Sequence, residues 1–389
     1  MKRIALAILT TSIIALGVIS VLMIPGYMEI NKVTPFAYSN TNVGYVKYTL
    51  ILYDNTLLKG NVISTKSDLG PFGIIYANGR IYVADSGSDT ISVINSTTNH
   101  VIGNITVKGH PFSLLYDPSN GYIYVTSPLH LLFVINPSTG EVIHNISLFP
   151  PPVLDSMAYD PSNGYIYVIS CTVVFPLFVI NSSTNKVIHE IELGKFPHFV
   201  SPLSILYDPS NGYLYVTNYR NTVLVINTST DKVIANISVG QYPLSLAYDP
   251  SNGYVYVTDA MSNTISVINS NNTVVANISV GKWPSSIVYD PSNGYIYVID
   301  TKSNMVSVID PSTNQVIANI TVGKGPSDIV YDPNNGYMYV TNCLSGSISI
   351  IATEQATHTS LPLYIMISLI IAAAAVIVVS VVLIKKRQS

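Results

Sequence analysis

The sequence predicts an all-β protein, a seven-bladed β-propeller of four-stranded blades. Residues 289–298, YDPSNGYIYV, are the cleanest copy of a turn motif between two apolar, aromatic-rich runs. The tyrosine that opens the motif recurs at spacings of 40, 43, 48, 41, 41 and 42 residues. A period near 40 residues with four strands is typical of a propeller blade, and no long run with helical periodicity is present. The opening tyrosines are Tyr76, Tyr116, Tyr159, Tyr207, Tyr248, Tyr289 and Tyr331.

Each motif predicts a β-hairpin followed by a second pair of strands. Proline sets φ for a turn, and Asn-Gly supplies residues that tolerate positive φ. We label the strands of a blade a to d. In the blade that begins at residue 286, the sequence predicts a at 286–290, b at 295–299, c at 305–310 and d at 315–322.

The seventh repeat lacks strand d, and the start of the chain supplies a replacement. We expect residues 57–64 to pair with residues 347–351, which closes the ring. The propeller then spans residues 45–352. Eight blades remain an alternative if residues 45–54 and their neighbour form a separate small blade.

Both ends of the chain predict membrane segments. Residues 1–25 begin with Lys2 and Arg3 and continue as an apolar run, which indicates a signal peptide or an uncleaved signal anchor. A linker at 353–360 leads to residues 361–384, which carry no charge and predict a transmembrane helix. The basic tail, 385–389, is expected in the cytoplasm, so the propeller is expected outside the cell.

Composition limits the function classes. Charged residues are 10% of the 389 and the net charge is −3, which gives no electrostatic footprint for nucleic acid. The seven histidines show no metal-ligand spacing, and no phosphate-binding or nucleophile motif is present. The sequence therefore predicts no metal, no cofactor and no catalytic residues. The aspartate of each Asp-Pro-Ser-Asn-Gly motif is explained by the turn itself.

The end of strand b carries a family resemblance. Tyr-Val-Thr-Asn stands at 215–218 and at 339–342, with near copies at 256–259 and 297–300. Together with the ISVIN and KVIANISVG strands, this resembles the YVTN-repeat β-propeller family over most of the chain. The resemblance implies a disc-like extracellular domain of the kind common in archaeal surface and surface-layer proteins. It implies a binding scaffold and supplies no catalytic motif.

The strand order predicts which face binds. The d–a and b–c connections share one face, the top, and they vary in length and chemistry, whereas the bottom turns are uniform. Aromatic residues on variable loops over a rigid scaffold are typical of binding surfaces. Strand b also ends in a carboxylate in several blades, either as a short polar terminator or as part of a channel mouth. Strand a opens with a serine in five blades and Asp328 in the seventh, which predicts a polar channel. The candidate top-face residues are Phe149, Phe196, Phe199, Tyr242, Trp283, Asp85, Asp259, Asp300 and Asp328.

Nine Asn-x-Ser/Thr sequons predict N-glycosylation of an extracellular domain. Those expected in the bottom c–d turns are Asn95, Asn181, Asn227 and Asn271. Those expected in strand d, on the outer rim, are Asn104, Asn145, Asn236, Asn277 and Asn319. Glycans at these positions leave the top face bare.

Two function classes follow. The first is a membrane-anchored surface protein, without catalysis, that binds a protein or glycan partner. The second is an extracellular propeller enzyme, lactonase-like or quinoprotein-like, that uses the channel mouth. Carboxylates and histidines that converge at the mouth favour the enzyme, whereas a mouth of serine and backbone favours binding.

Overall fold

The computed structural model describes residues 45–46, 63–64, 70–128, 131–148, 154–170, 176–193, 202–218 and 220–352. They belong to one compact unit, Thr41–Ala356, and the remaining unit, Met1–Asn40 with Thr357–Ser389, lies outside the described residues. No helix in the described ranges is long and apolar enough to cross a bilayer. The predicted membrane segments at 1–25 and 361–384 fall outside those ranges.

Seven antiparallel sheets form the ring, and each blade keeps the order a, b, c, d. Blade 1 consists of Pro71–Ala77, Arg80–Asp85, Thr90–Asn95 and His100–Thr106. Blade 2 consists of Leu114–Asp117, Tyr122–Ser127, Leu131–Asn136 and Glu141–Ser147. Blade 3 consists of Leu154–Asp160, Tyr165–Ser170, Pro176–Asn181 and Lys186–Glu192. Blade 4 consists of Pro202–Asp208, Tyr213–Asn218, Thr222–Asn227 and Lys232–Ser238.

The remaining blades follow the same pattern, and the seven-bladed all-β prediction is confirmed. Blade 5 consists of Pro243–Asp249, Tyr254–Asp259, Thr264–Ile268 and Val274–Ser279. Blade 6 consists of Pro284–Tyr289, Ile296–Asp300, Met305–Asp310 and Gln315–Thr321, within two residues of the predicted strands. Blade 7 has strands a to c at Pro326–Asp332, Tyr337–Asn342 and Ser347–Ala352.

Two short N-terminal strands occupy the place of strand d in blade 7. Ile63 and Ser64 pair with Ile348 and Ser347. Tyr45–Val46 pairs with the other end of the same strand c, so it joins blade 7 and forms no eighth blade. The closure is thus confirmed at residues 63–64, and the rest of the predicted strand at 57–64 lies outside the described ranges.

The hydrophobic core is divided among the blade interfaces. The described residues form seven buried clusters, one between each pair of neighbouring sheets, and the cluster that joins blade 7 to blade 1 contains Tyr339, Ile348 and Ile74. The tyrosine near the start of each strand b is almost fully buried in these interfaces. The aromatic residue of the repeat therefore packs one blade onto the next.

Candidate functional site

The bottom turns are structural, as the sequence indicates. In blade 2, the Asp117 carboxylate accepts hydrogen bonds from the backbone N–H and the hydroxyl of Ser119, at 2.8 and 2.7 Å. Gly121 closes the turn at φ +77°. The same bonds recur in blades 3 to 6. These carboxylates are committed to their own turns, which confirms the prediction for the repeated aspartate.

The d–a connections of the top face share an unusual backbone conformation at one position. A proline stands at or just before the start of strand a, and the residue that precedes it has positive φ at each such position that the structure describes: Gly70, His110, Tyr242, Trp283 and Gly325. Glycine adopts this conformation freely, but aromatic residues do so at a cost of about 1 kcal/mol or more. The backbone of Tyr242 and Trp283 is therefore held in place by contacts elsewhere.

The b–c turn of the preceding blade supplies those contacts. Asn221 accepts a hydrogen bond from the backbone N–H of Tyr242 at 3.0 Å, and Asn263 does the same for Trp283 at 2.9 Å. In the same way, the Asn304 side chain accepts a hydrogen bond from the backbone N–H of Gly325 at 2.9 Å, and the Asp89 carboxylate accepts one from the backbone N–H of His110 at 2.8 Å. The residue that makes this contact is visible in the sequence as an Asn or Asp shortly before strand c. Our prediction did not use it.

Tyr242 and Trp283 form the centre of the candidate surface. Their ring centroids are 5.6 Å apart with the planes tilted by 42°. The Nζ atom of Lys302, from the b–c turn of blade 6, lies 3.4 Å from the Trp283 ring centroid. A cation at this distance is attracted to the ring face. The two predicted aromatic residues therefore lie together, and Lys302 is a member that the sequence reasoning missed.

Two exposed apolar residues extend this surface along blades 5 to 7. Met261 is 54% exposed, and its backbone N–H bonds Gln241 beside Tyr242. Leu344 is 79% exposed and lies over Gly325. With Lys324, which is also exposed, they complete a surface that we call the aromatic–lysine patch: Tyr242, Met261, Trp283, Lys302, Lys324 and Leu344.

The strand-b carboxylates lie beneath the loops. Asp85 is 1% exposed, and Asp259 and Asp300 are fully buried. Each accepts a hydrogen bond from a serine on strand c, for example Ser266 to Asp259 at 2.7 Å. The expectation that these three residues belong to the surface is therefore corrected, because all three side chains are buried.

These carboxyls act as supports for the loops. A Cβ on Gly240 would lie 2.5 Å from the Asp259 carboxyl carbon, and one on Gly281 would lie 2.5 Å from an Asp300 carboxylate oxygen. Burial raises the pKa of both Asp259 and Asp300 to about 6. The loops that carry Tyr242 and Trp283 thus contain glycines that pack directly against buried carboxyl groups.

The channel residues are tied to neighbouring strands. Asp328 accepts hydrogen bonds from the Ser286 hydroxyl at 2.7 Å and from the backbone N–H of Ile74 at 3.1 Å. Burial raises the Asp328 pKa to about 6. Ser156 accepts from the backbone N–H of Ile205 at 3.4 Å. In blade 1 the equivalent residue is Gly73, where a Cβ would lie 2.4 Å from the Phe112 carbonyl oxygen.

Among the described residues, no three His, Cys, Asp or Glu side chains are placed to share a metal ion. The candidates Phe149, Phe196 and Phe199 lie outside the described ranges. All five rim sequons have exposed asparagines. In the bottom set, the Asn95 and Asn181 side chains cap their own turns.

The described residues form a seven-bladed propeller. Hydrogen bonds between neighbouring blades fix its top-face loops, which carry the aromatic–lysine patch. The solved structures that resemble it include hydrazine synthase from Kuenenia stuttgartiensis, at 17% identity and a TM-score of 0.64, over 75% of this chain and 97% of that one. Virginiamycin B lyase from Staphylococcus aureus matches at 16% identity and 0.64, over 75% and 98%. A streptogramin B lyase gives 16% and 0.64, over 75% and 97%. At this identity the likeness concerns the fold.

No protein-family model matches the sequence, and no curated protein sequence matches it.

Proposed function

We propose that this protein is a membrane-anchored, extracellular binding protein of the YVTN-repeat type, whose top face contacts a protein or glycan partner at the cell surface. The observation that carries the proposal is the Tyr242–Trp283–Lys302 cluster. Two aromatic residues accept an unfavourable backbone conformation on the variable face, and neighbouring blades fix them there. Residues that bear such strain are characteristic of functional sites.

The sequence supports the placement in the membrane. Residues 361–384 form an uncharged run long enough to span a bilayer, and Lys385, Lys386 and Arg387 follow it. We expect the full chain to stay with membranes after alkaline carbonate extraction. External protease should reach the propeller in intact cells but leave the tail protected. Release by carbonate would contradict the anchor.

A binding experiment on cell-envelope material tests the function. The detergent-solubilised full chain is compared with Trp283→Gly, which copies the residue found at the equivalent Gly325 of blade 7. Thr313→Ala, at an exposed position in a bottom turn, is the matched control. We expect the tryptophan variant to lose at least tenfold in binding and the control to retain it. Equal binding by all three proteins would refute a top-face site.

A second candidate function is an enzyme that uses the channel mouth. The likeness to two lyases favours it at the level of the fold. The residue available for acid–base chemistry is Asp328, whose pKa is raised by burial to about 6. An activity screen on lactones and cyclic esters should then detect turnover that Asp328→Asn removes. Turnover that survives this substitution would exclude Asp328 as its catalytic group.

A further inference from the structure

We infer that the aromatic–lysine patch binds an acidic protein segment that carries an apolar anchor residue. The inference rests on the proposed function and adds the chemistry of the partner. The patch combines apolar and cationic side chains on one set of loops, and each property restricts the ligand.

The apolar component forms a chain of contacts over blades 5 and 6, and Leu344 adds an exposed apolar side chain on blade 7. Met261 lies beside the Tyr242 loop, Tyr242 contacts Trp283, and Lys302 covers part of the Trp283 ring. Leu344, at 79% exposure, is the most exposed of the large described hydrophobic residues. Aromatic residues and methionine are enriched at the cores of protein–protein interfaces, so this set fits a protein partner with an apolar side chain.

The charged component has one sign. Lys282, Lys302 and Lys324 are exposed on consecutive top connections. The described carboxylates in the upper half of blades 5 to 7 are Asp259, Asp300 and Asp328. Two of these are buried, and the third accepts bonds from Ser286 and Ile74 in the channel. Among the described residues of blades 5 to 7, no surface carboxylate therefore lies beside these exposed lysines, and complementarity calls for an acidic partner.

The arrangement is rigid before any partner arrives. The backbone N–H groups of Trp283 and Gly325 are held by Asn263 and Asn304 from the preceding blades. The backbone N–H of Lys302 also bonds the Lys282 carbonyl at 3.1 Å. A preorganised surface loses little conformational entropy on binding, which favours recognition of a short flexible segment.

The test uses random 12-residue peptides displayed on phage and selected against the detergent-solubilised full chain. We expect the selected sequences to combine Asp or Glu with Phe, Leu or Trp. Synthetic peptides from the selection are then measured by fluorescence anisotropy. Replacing their acidic residues by Lys should abolish binding, and replacing the apolar anchor by Ser should weaken it at least tenfold.

Three variants copy residues from equivalent blades, so each substitution suits its backbone. Trp283→Gly copies Gly325 and should weaken peptide binding at least tenfold. Lys302→Met copies Met261 and should weaken binding mainly at low salt, where charge attraction is least screened. Leu344→Lys copies Lys302 and should weaken anchor-containing peptides more than their serine versions. Thermal unfolding confirms that each variant is folded.

Several outcomes overturn the inference. Selected peptides without acidic enrichment, or binding that all three variants leave unchanged, contradict it. Alginate, an acidic polysaccharide with no apolar side chain, is the second probe. If alginate binds as tightly as the peptides and loses affinity in Trp283→Gly, the partner is a glycan. If cell-envelope binding depends on Trp283 but no acidic peptide binds, the inference fails while the proposed function stands.

Discussion

The hydroxyl group of Tyr339, in blade 7, donates a hydrogen bond of 2.6 Å to the Asn99 side chain of blade 1, across 240 residues of sequence. Asn335 reinforces the same join by bonding the Ser96 carbonyl at 2.9 Å. The contact between Tyr124 of blade 2 and Asn185 of blade 3, at 2.7 Å, has the same design. The join between the last and first blades therefore uses the same bond as an interface between consecutive blades.

Tyr339→Phe should destabilise the propeller. The phenyl ring still fills the interface, but Asn99 and Ser96 lose a hydrogen-bond donor, which costs about 1 to 3 kcal/mol. Urea unfolding measures the change. Tyr116→Phe is the control, because Tyr116 only accepts an exposed bond from Asn78, and it should cost less than about 0.5 kcal/mol. Equal losses of unfolding free energy in the two variants would show that the Tyr339 hydroxyl stabilises the protein no more than an exposed tyrosine hydroxyl does.

Gly281→Ala should disturb the Trp283 loop. The added Cβ would lie 2.5 Å from an Asp300 carboxylate oxygen, so the loop has to move. We expect a lower melting temperature and altered tryptophan fluorescence, since Trp283 is the chain's one tryptophan. Gly103→Ala is the control, because a Cβ there meets nothing within 4 Å. It should be neutral or slightly stabilising. Unchanged fluorescence in Gly281→Ala would contradict the support role of Asp300.

The sequence was sufficient to predict the ring and insufficient to predict its surface. The turn motif and its period identify seven blades because local φ preferences and apolar alternation are properties of neighbouring residues. The pairing of Tyr242 with Trp283 joins residues 41 positions apart, and only the ring geometry makes them adjacent. The burial of Asp259 and Asp300 was missed for a related reason. A polar residue at the end of a strand is ordinarily exposed, and the loop that covers it belongs to another part of the repeat.

Stability should fall as the pH rises from about 4 to 6.5. The pKa values of Asp259 and Asp300 are raised by burial from 3.8 to about 6. Between these values the folded state binds more protons than the unfolded state, so the free energy of unfolding decreases with pH. The stabilisation that each protonated carboxyl contributes is complete below about pH 3.8 and lost above about pH 6. It is on the order of 2 to 3 kcal/mol for each carboxyl.

The hydrogen bonds around Asp259 are consistent with a raised pKa, because they favour its protonated form. The hydroxyl of Ser266 has one proton and two acceptors, Asp259 at 2.7 Å and Asn277 at 3.1 Å. A protonated Asp259 can donate to Ser266, which then donates to Asn277. In blade 7 the same place is taken by Asn342, which donates to Ser349 at 3.0 Å. Asp259→Asn with Asp300→Asn should therefore reduce the slope of the melting-temperature profile between pH 4 and 6.5, and the slope that remains is expected from Asp328, whose pKa burial also raises to about 6. A wild-type profile that is already flat would refute the assignment.

The rim sequons should be glycosylated more fully than the bottom sequons. Asn104, Asn277 and Asn319 are exposed, and each amide oxygen accepts a hydrogen bond from a strand-c serine, at 2.9 to 3.1 Å. This bond uses the amide oxygen and not the amide nitrogen, which is the atom that would carry a glycan. Asn95 and Asn181 are half-buried by comparison, and their amide oxygens hold the backbone of their own turns, at 3.0 Å for the first bond of each.

The proposed membrane anchor sharpens this difference. Strand c of blade 7 runs from top to bottom and ends at Ala352, so a linker at 353–360 would leave from the bottom face. Eight residues span at most about 29 Å even when fully extended. A propeller tethered in this way would hold its bottom turns near the bilayer, where bulky glycans fit poorly. Glycopeptide mass spectrometry on protein from the native host should therefore find Asn104, Asn145, Asn236, Asn277 and Asn319 more occupied than the bottom set. Full bottom sites with empty rim sites would invert the proposed orientation and remove the geometric reason for placing the binding surface on the top face.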